Sequence, residues 1–199
     1  MKTLFMDSSH KHLIVLLLED KKIVSSVCEE CWKKQSEKLF PAVIACMEEA
    51  NWNVNDLQKV IVSVGPGSYT GVRIALSVAK VLCTQKNIPL YTLSTLQLYA
   101  GLNPNTFVMM DARSKRAYCA HYDYGNVILN PQIKTLEEIS DYLKNHECNV
   151  VGDCNLVHYD EVNVDFKANI QALVEHSELV ENIHTLIPCY LKESDAYGK

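Results

Sequence analysis

The sequence lacks the patterns that identify several common classes of catalytic or membrane protein. It contains no HExxH, no HxxxH and no Gly-x-Ser-x-Gly, so a metallopeptidase or a serine hydrolase is an unfavourable interpretation. Its longest apolar run, Leu13 to Leu18, is too short to cross a bilayer. The first residues lack the layout of a signal peptide, and we therefore expect a cytoplasmic protein.

A second pair of closely spaced cysteines is also missing. Of the 8 cysteines, only Cys28 and Cys31 have the spacing of a metal or redox pair. A structural zinc site needs four ligands, usually from two such pairs. The two intervening glutamates disfavour the thiolate, which is the reactive form of cysteine. We expect reduced thiols, and the sequence leaves open whether Cys28 and Cys31 have any role.

Excess positive charge is absent as well. The formal net charge is −5, while 48% of the residues are hydrophobic and 22% are charged. A protein that binds nucleic acid by itself usually carries a basic face, so unaided RNA binding is disfavoured. The 199 residues are enough for one large domain or two small lobes.

Glycine is scarce, but three of the 7 glycines lie together, in Gly65-Pro66-Gly67-Ser68-Tyr69-Thr70-Gly71. The apolar residues 60–64 before this turn predict a buried strand, and the apolar spacing after it predicts a helix. Either Ser68 or Thr70 is a candidate N-cap of that helix. Glycine loops at helix N-termini bind phosphate groups in many proteins. The spacing here matches neither a dinucleotide fingerprint nor a P-loop, so a packed turn that binds nothing is the favoured interpretation.

The chain is organised as two similar parts. Periodicity predicts the order β-β-β-α-β-α-β-α for residues 1–101, followed by a linker at Gly101 to Asn105. A strand that ends at Asp111 opens residues 106–199, just as a strand that ends at Asp7 opens the first part. We therefore expect an α/β fold with an N-terminal lobe (1–101) and a shorter C-terminal lobe (106–199), in which Thr135 caps a helix.

Five segments carry a resemblance to the bacterial TsaB family, also called YeaZ. They are Asp7-Ser8-Ser9, Gln35 to Pro41, Gly65 to Ile74, Asp111-Ala112-Arg113 with Ala117-Tyr118, and Pro188 to Lys192. Gln35 stands where the family usually has histidine, and Lys192 stands where it usually has arginine. These departures affect any contact that needs an imidazole or a planar guanidinium.

The resemblance implies an actin-like (ribonuclease-H-like) α/β fold with two β-β-β-α-β-α type lobes. It implies a non-catalytic scaffold subunit in the formation of threonylcarbamoyladenosine in tRNA. Such a subunit binds a TsaD-like ligase, and with it a TsaE-type ATPase, and meets tRNA only through that complex. It forms a homodimer when alone and has no cofactor of its own, with ATP or ADP and Mg placed at the complex interface. The missing HxxxH agrees with this division of labour, because it leaves no place for a catalytic metal here.

The resemblance also implies that helices Ser36–Ala50 and Thr70–Lys86 form the partner interface. The expected contact residues are Leu39, Val43, Met47, Val72, Arg73, Leu76 and Lys80. The second helix has surplus apolar residues at Ile74, Val78 and Val81, which suits an interface but also suits a helix buried on all sides. A nucleotide or anion would be contacted by Asp7, Ser8, Ser9, Gly67, Ser68, Thr70 and Arg73. No catalytic residue and no metal ligand are expected.

Two other functions compete with the scaffold. A stand-alone actin-like ATP-binding protein or kinase is motivated by Asp7-Ser8-Ser9 and the glycine turn. A peptidase is less favoured, because the sequence nominates neither a nucleophile with its base nor a metal site.

Overall fold

The computed structural model describes residues 1–31 and 34–191, and Lys192 therefore lies outside the described residues. The elements of the first part are β1 (Lys2–Asp7), β2 (His12–Glu19), β3 (Lys22–Glu30), α1 (Gln35–Glu49), β4 (Lys59–Ser63), α2 (Tyr69–Lys86), β5 (Leu90–Leu93) and α3 (Thr95–Ala100). They are followed by β6 (Thr106–Arg113), β7 (Arg116–Asp123), β8 (Asn126–Thr135), α4 (Leu136–Asn145), β9 (Asn149–Gly152), α5 (Phe166–Leu173) and β10 (Glu178–Leu179).

The strands form two sheets whose central topology is the same. The first sheet has the order β10-β5-β4-β1-β2-β3, and the second has the order β8-β7-β6-β9. In each, three antiparallel strands are followed by a helix and then by a strand parallel to the first: β4 beside β1, and β9 beside β6. This repeated β-β-β-α-β unit is the one that an actin-like fold contains twice. The expected α/β class and strand order are confirmed.

The chain divides into two compact units, the first made of Met1–Thr95 and Ile170–Cys189. The second contains Leu96–Asn169 and the described residues after Cys189. The division differs from the expected lobes because the chain returns to the first unit at Ile170. Pairing between residues so far apart leaves no local pattern in the sequence.

Two contacts hold the returning segment in the first unit. Strand β10 pairs antiparallel with β5, and beyond it the Val180 backbone N–H donates to the Leu90 carbonyl at 2.9 Å. The ammonium of Lys59 donates to the Val174 carbonyl at 2.9 Å and lies 4.0 Å from the centre of the Tyr91 ring. Burial lowers the pKa of Lys59, so this carbonyl contact compensates part of the cost of burying its charge.

Helices α1 and α2 pack side by side on one face of the first sheet. Inward residues of both helices join alternate residues of β1, β2 and β4 in a single core, which includes Leu4, Val15, Leu39 and Ala75. The period of two in the strands and of 3.6 in the helices directs these side chains to the same layer. Consequently the outer faces of α1 and α2 point to the same side of the unit.

A separate core fills the second unit. Helix α4 covers one face of the second sheet, where Phe107, Cys119 and Ile139 are buried together. Thr135 begins this helix with a capping box, in which its hydroxyl accepts from the Glu138 N–H and the Glu138 carboxylate accepts from the Thr135 N–H. The predicted N-cap is confirmed.

Candidate functional site

The turn after β1 and the glycine turn after β4 meet at the N-terminal end of α2. The Ser9 carbonyl accepts a hydrogen bond from the Ser68 N–H at 2.7 Å. The Ser8 hydroxyl donates to the Gly71 carbonyl at 2.7 Å. We call Asp7–Ser9 together with Gly65–Gly71 the strand–helix junction.

Glycine is required at two positions of this junction because backbone packs directly on backbone. A Cβ atom built at Gly67 would lie 2.3 Å from the Ser9 carbonyl oxygen, and one at Gly71 would lie 2.0 Å from the Ser8 carbonyl oxygen. The space next to these glycines is therefore filled by carbonyl oxygens, whose partial negative charge would repel a phosphate. The glycines serve internal packing, as the favoured interpretation of the sequence holds.

The predicted anion contacts need a correction for Asp7, Ser8 and Ser9. All three are buried, and their side chains bind other parts of the junction. Oδ1 of Asp7 accepts from the Ser9 N–H at 3.1 Å and from the Ser9 hydroxyl at 2.6 Å. The Thr95 hydroxyl in turn donates to the Ser9 hydroxyl at 2.9 Å. Buried hydroxyls engaged in this way are not available to a ligand from solvent.

Burial raises the pKa of Asp7 above its ordinary value. Hydrogen bonds from Ser9, the proximity of the Ser63 hydroxyl and the charge of His10 lower the pKa of Asp7, but by less than burial raises it. A raised pKa favours the neutral carboxylic acid, which is a poor ligand for a cation.

The other predicted anion contacts lie on the outside of the junction. Ser68, Thr70 and Arg73 are exposed. The Ser68 hydroxyl accepts from the Gly71 N–H at 3.3 Å and so caps α2, which decides between the two cap candidates. The Arg73 guanidinium stacks 4.4 Å from the centre of the Tyr69 ring. The predicted anion contacts that reach solvent therefore lie at the start of α2.

The predicted interface residues also need correction. The hydrophobic members of that set are buried in the core of the first unit, so they have no surface to offer to a partner: Leu39, Val43, Met47, Val72 and Leu76. The remaining two are Arg73, which is exposed, and Lys80, whose ammonium donates to the His184 and Leu186 carbonyls at 3.2 and 3.0 Å. The helical stripe chosen from the sequence is the one that faces the sheet.

The outer sides of the same two helices carry large exposed apolar side chains instead. Phe40 is 60% exposed and Ile44 is 43% exposed on α1, while Tyr69 is 58% and Val81 is 64% exposed on α2. A spacing of four residues places Phe40 and Ile44 next to each other on α1, and on α2 each of Tyr69, Arg73, Ser77 and Val81 next to the following one. We define the exposed helix face by the following exposed residues: Phe40, Pro41, Ile44, Ala45, Tyr69, Arg73, Ser77 and Val81.

Sequence reasoning missed Phe40, Ile44 and Tyr69 as interface candidates, although it noted Val81 as surplus. The sequence could have indicated Phe40 and Ile44, because these apolar residues directly follow the core residues Leu39 and Val43. A helix that buries one stripe and remains apolar on the next has more apolar surface than its own core uses.

Two positions of the family pattern have local structural roles. The Gln35 amide, at the position where histidine was expected, donates to the His10 carbonyl at 3.0 Å and is buried. The Asp111 carboxylate accepts from the Arg113 N–H at 2.8 Å, and the Asp153 carboxylate accepts from the Asp111 N–H at 2.8 Å. These carboxylates hold the end of β6.

Residues 1–31 and 34–191 contain no group of three or more histidine, cysteine or acidic side chains that could hold a metal ion. In that same part of the chain, Cys28 is exposed and Cys31 is buried. No helix among the described residues is long and apolar enough to span a membrane.

Comparisons with known proteins agree on one family. The family model described as "TsaD: tRNA N6-adenosine threonylcarbamoyltransferase" matches residues 23–150. The chain is 28% identical to the tRNA threonylcarbamoyladenosine biosynthesis protein TsaB of Bacillus subtilis, over 100% of this chain and 97% of that protein. It is 29% identical to the TsaB protein of Buchnera aphidicola subsp. Schizaphis graminum, over 71% of this chain and 72% of that protein.

Solved structures agree on the fold. YeaZ from Pseudomonas aeruginosa superposes with a TM-score of 0.74 at 20% identity, covering 96% of this chain and 99% of that one. A Pseudomonas aeruginosa protein described as uncharacterized, with similarity to peptidase YEAZ, superposes with a TM-score of 0.78 at 21% identity, with the same coverage.

Proposed function

Because the chain belongs to the TsaB (YeaZ) family, within the family that the TsaD model describes, we propose that it is a non-catalytic scaffold subunit in tRNA threonylcarbamoyladenosine biosynthesis. Its role lies in that pathway. The subunit binds a TsaD-like ligase through the exposed helix face, and through the ligase it joins a TsaE-type ATPase. It acts in the cytoplasm and meets tRNA only as part of the complex.

The observation that carries this proposal is the apolar character of the exposed helix face. Phe40, Ile44, Tyr69 and Val81 expose large hydrophobic surfaces on two adjacent helices that point the same way. The face includes the aromatic residues Phe40 and Tyr69, with Arg73 stacked on Tyr69, and aromatic residues and arginine are enriched among those that dominate the affinity of protein interfaces. In the absence of the ligase, the same face supports a homodimer.

The strand–helix junction supports the non-catalytic part of the proposal. Its hydroxyls and glycines are engaged with one another, so the features that motivated a stand-alone ATPase have an internal use. We assign the chain no cofactor of its own. We propose that ATP or ADP with Mg binds at the interface with the ligase, and the exposure of Ser68, Thr70 and Arg73 supports their contacting it.

Reconstitution tests the proposal directly. The purified chain is assayed for threonylcarbamoyladenosine in tRNA, alone and together with the TsaD-like and TsaE-like proteins of the same genome. We expect no modified tRNA and no ATP hydrolysis from the chain alone, and modification that depends on adding it to the other proteins. Modification or hydrolysis by the chain alone would contradict the scaffold role.

A further inference from the structure

Two neighbouring side chains in the first unit have polar atoms without partners. Asp7 ends β1 and Ser63 ends β4, and the parallel pairing of Met6 with Val62 places the next residues of the two strands side by side. Both side chains are buried. Among the described residues, Asp7 Oδ2 and Ser63 Oγ are the buried side-chain oxygens that lack a hydrogen bond.

The other carboxylate oxygen of Asp7 is fully used. Oδ1 accepts from the N–H and from the hydroxyl of Ser9. Oδ2 has no hydrogen-bond partner, and Ser63, which ends the neighbouring strand, is close enough to Asp7 to lower its pKa.

A hydrogen bond between Asp7 Oδ2 and Ser63 Oγ would give both atoms a partner, and the burial of Asp7 decides which of the two oxygens donates. An ionised carboxylate has acceptors alone and is costly to bury unless both oxygens receive donors. A proton on Oδ2 adds a donor, and Ser63 Oγ has lone pairs to accept it. The opposing effects are the Ser9 donors and the charge of His10, and burial outweighs them.

We propose that Asp7 keeps its proton at neutral pH and donates it from Oδ2 to Ser63 Oγ, so that a buried neutral acid links β1 to β4. The link extends through Ser9 to Thr95 and, by way of the Ser9 carbonyl, to the first turn of α2. Ionising Asp7 loosens this junction. This inference goes beyond the proposed function and does not depend on any partner.

Asp7→Asn provides the main test, since the amide keeps an acceptor at Oδ1 and a donor at the place of Oδ2. A folded-state pKa above the unfolded value of about 3.9 makes wild-type stability fall as pH rises through the interval between the two values. Relative to Asp7→Asn, the unfolding constant of the wild type should therefore rise by up to about tenfold per pH unit in that interval, measured by urea unfolding. A ratio that stays constant or falls with pH overturns the proposal.

Infrared spectroscopy reads the proton directly. The wild-type minus Asp7→Asn difference spectrum at pH 7 should contain the carbonyl band of a protonated carboxyl. Ser63→Ala should shift that band to higher frequency, because the acid loses its acceptor, while Ser25→Ala, at a buried serine bonded to Glu49, leaves it unchanged. Carboxylate bands in place of the acid band overturn the proposal, and so does loss of the acid band on adding Mg²⁺. If Asp7→Asn fails to fold, carboxyl-labelled ¹³C-aspartate in the wild type reports the same protonation by NMR.

Discussion

The strand–helix junction and the exposed helix face occupy the same unit, share helix α2, and differ in almost every physical respect. Apart from the exposed residues 68–70, the junction is mostly buried, and its polar groups bind one another. The exposed helix face is largely apolar and open to solvent. The difference shows that one motif can serve two purposes: within Gly65 to Ile74, the glycines fix the position of α2, whereas Tyr69 and Arg73 belong to the surface we propose for the partner.

The physical reason lies in what each task demands. At Gly67 and Gly71 the backbone of another segment lies so close that only glycine fits, so the sequence of the junction is restricted at these positions. An interface needs apolar area and shape, which many combinations of residues supply. In the junction, the restricted choice of residues therefore reflects tight packing.

Leu39 and Phe40 are neighbours in the sequence, but Leu39 is buried in the core and Phe40 is exposed at the surface. Leu39→Ala should lower the free energy of unfolding by about 3 kcal/mol, because it leaves a cavity in the core of the first unit. Phe40→Ala should change it by less than about 0.5 kcal/mol, since that ring is mostly in solvent. Urea unfolding of the two variants checks this, and equal losses would mean that Phe40 belongs to the core.

Gly71→Ala tests the packing assigned to the junction. The added methyl group meets a backbone carbonyl that has little freedom to move, so we expect a loss of about 2 kcal/mol or more in the free energy of unfolding. Ser77→Ala, at an exposed position of the same helix, serves as the control and should be nearly neutral. A stable Gly71→Ala protein would show that Ser8 and Gly71 do not pack as described.

The cap of α2 gives a smaller effect. Ser68→Ala removes the acceptor for the Gly71 N–H and should cost about 1 kcal/mol of stability. Thr70→Ala, two residues further on and exposed, should cost much less. Thermal unfolding of the pair measures the difference, and the opposite order would move the cap to Thr70.

Much of the fold could be predicted because local patterns specify it. The apolar runs in β1 and β2, the capping signal at Thr135 and the glycine turn before α2 each depend on residues close together in the chain. The return of residues 170–189 to the first unit could not be predicted in this way, because it depends on β10 pairing with β5 across about ninety residues. Strand β8 likewise extends to Thr135 because β7 supplies its hydrogen bonds, although its sequence favours a strand only near Val127.

The sequence predicts the two helices that carry the candidate site, but it does not show which of their side chains are exposed. Apolar periodicity identifies Leu39 and Phe40 equally well as members of a helix, and only the sheet beneath α1 decides which of them is covered. The same limit applies to Asp7, whose burial and single unpartnered oxygen arise from the pairing of β1 with β4.

Affinity for the TsaD-like subunit tests the central claim most directly. Phe40→Glu and Val81→Glu place a charge on the exposed helix face, and Val127→Glu places one at a similarly exposed valine of β8 in the second unit. Isothermal titration with the ligase subunit should give a Kd at least about tenfold weaker for the first two variants, because a charge must then be desolvated at the interface. Val127→Glu should bind like the wild type. Unchanged affinity of Phe40→Glu and Val81→Glu would contradict the account.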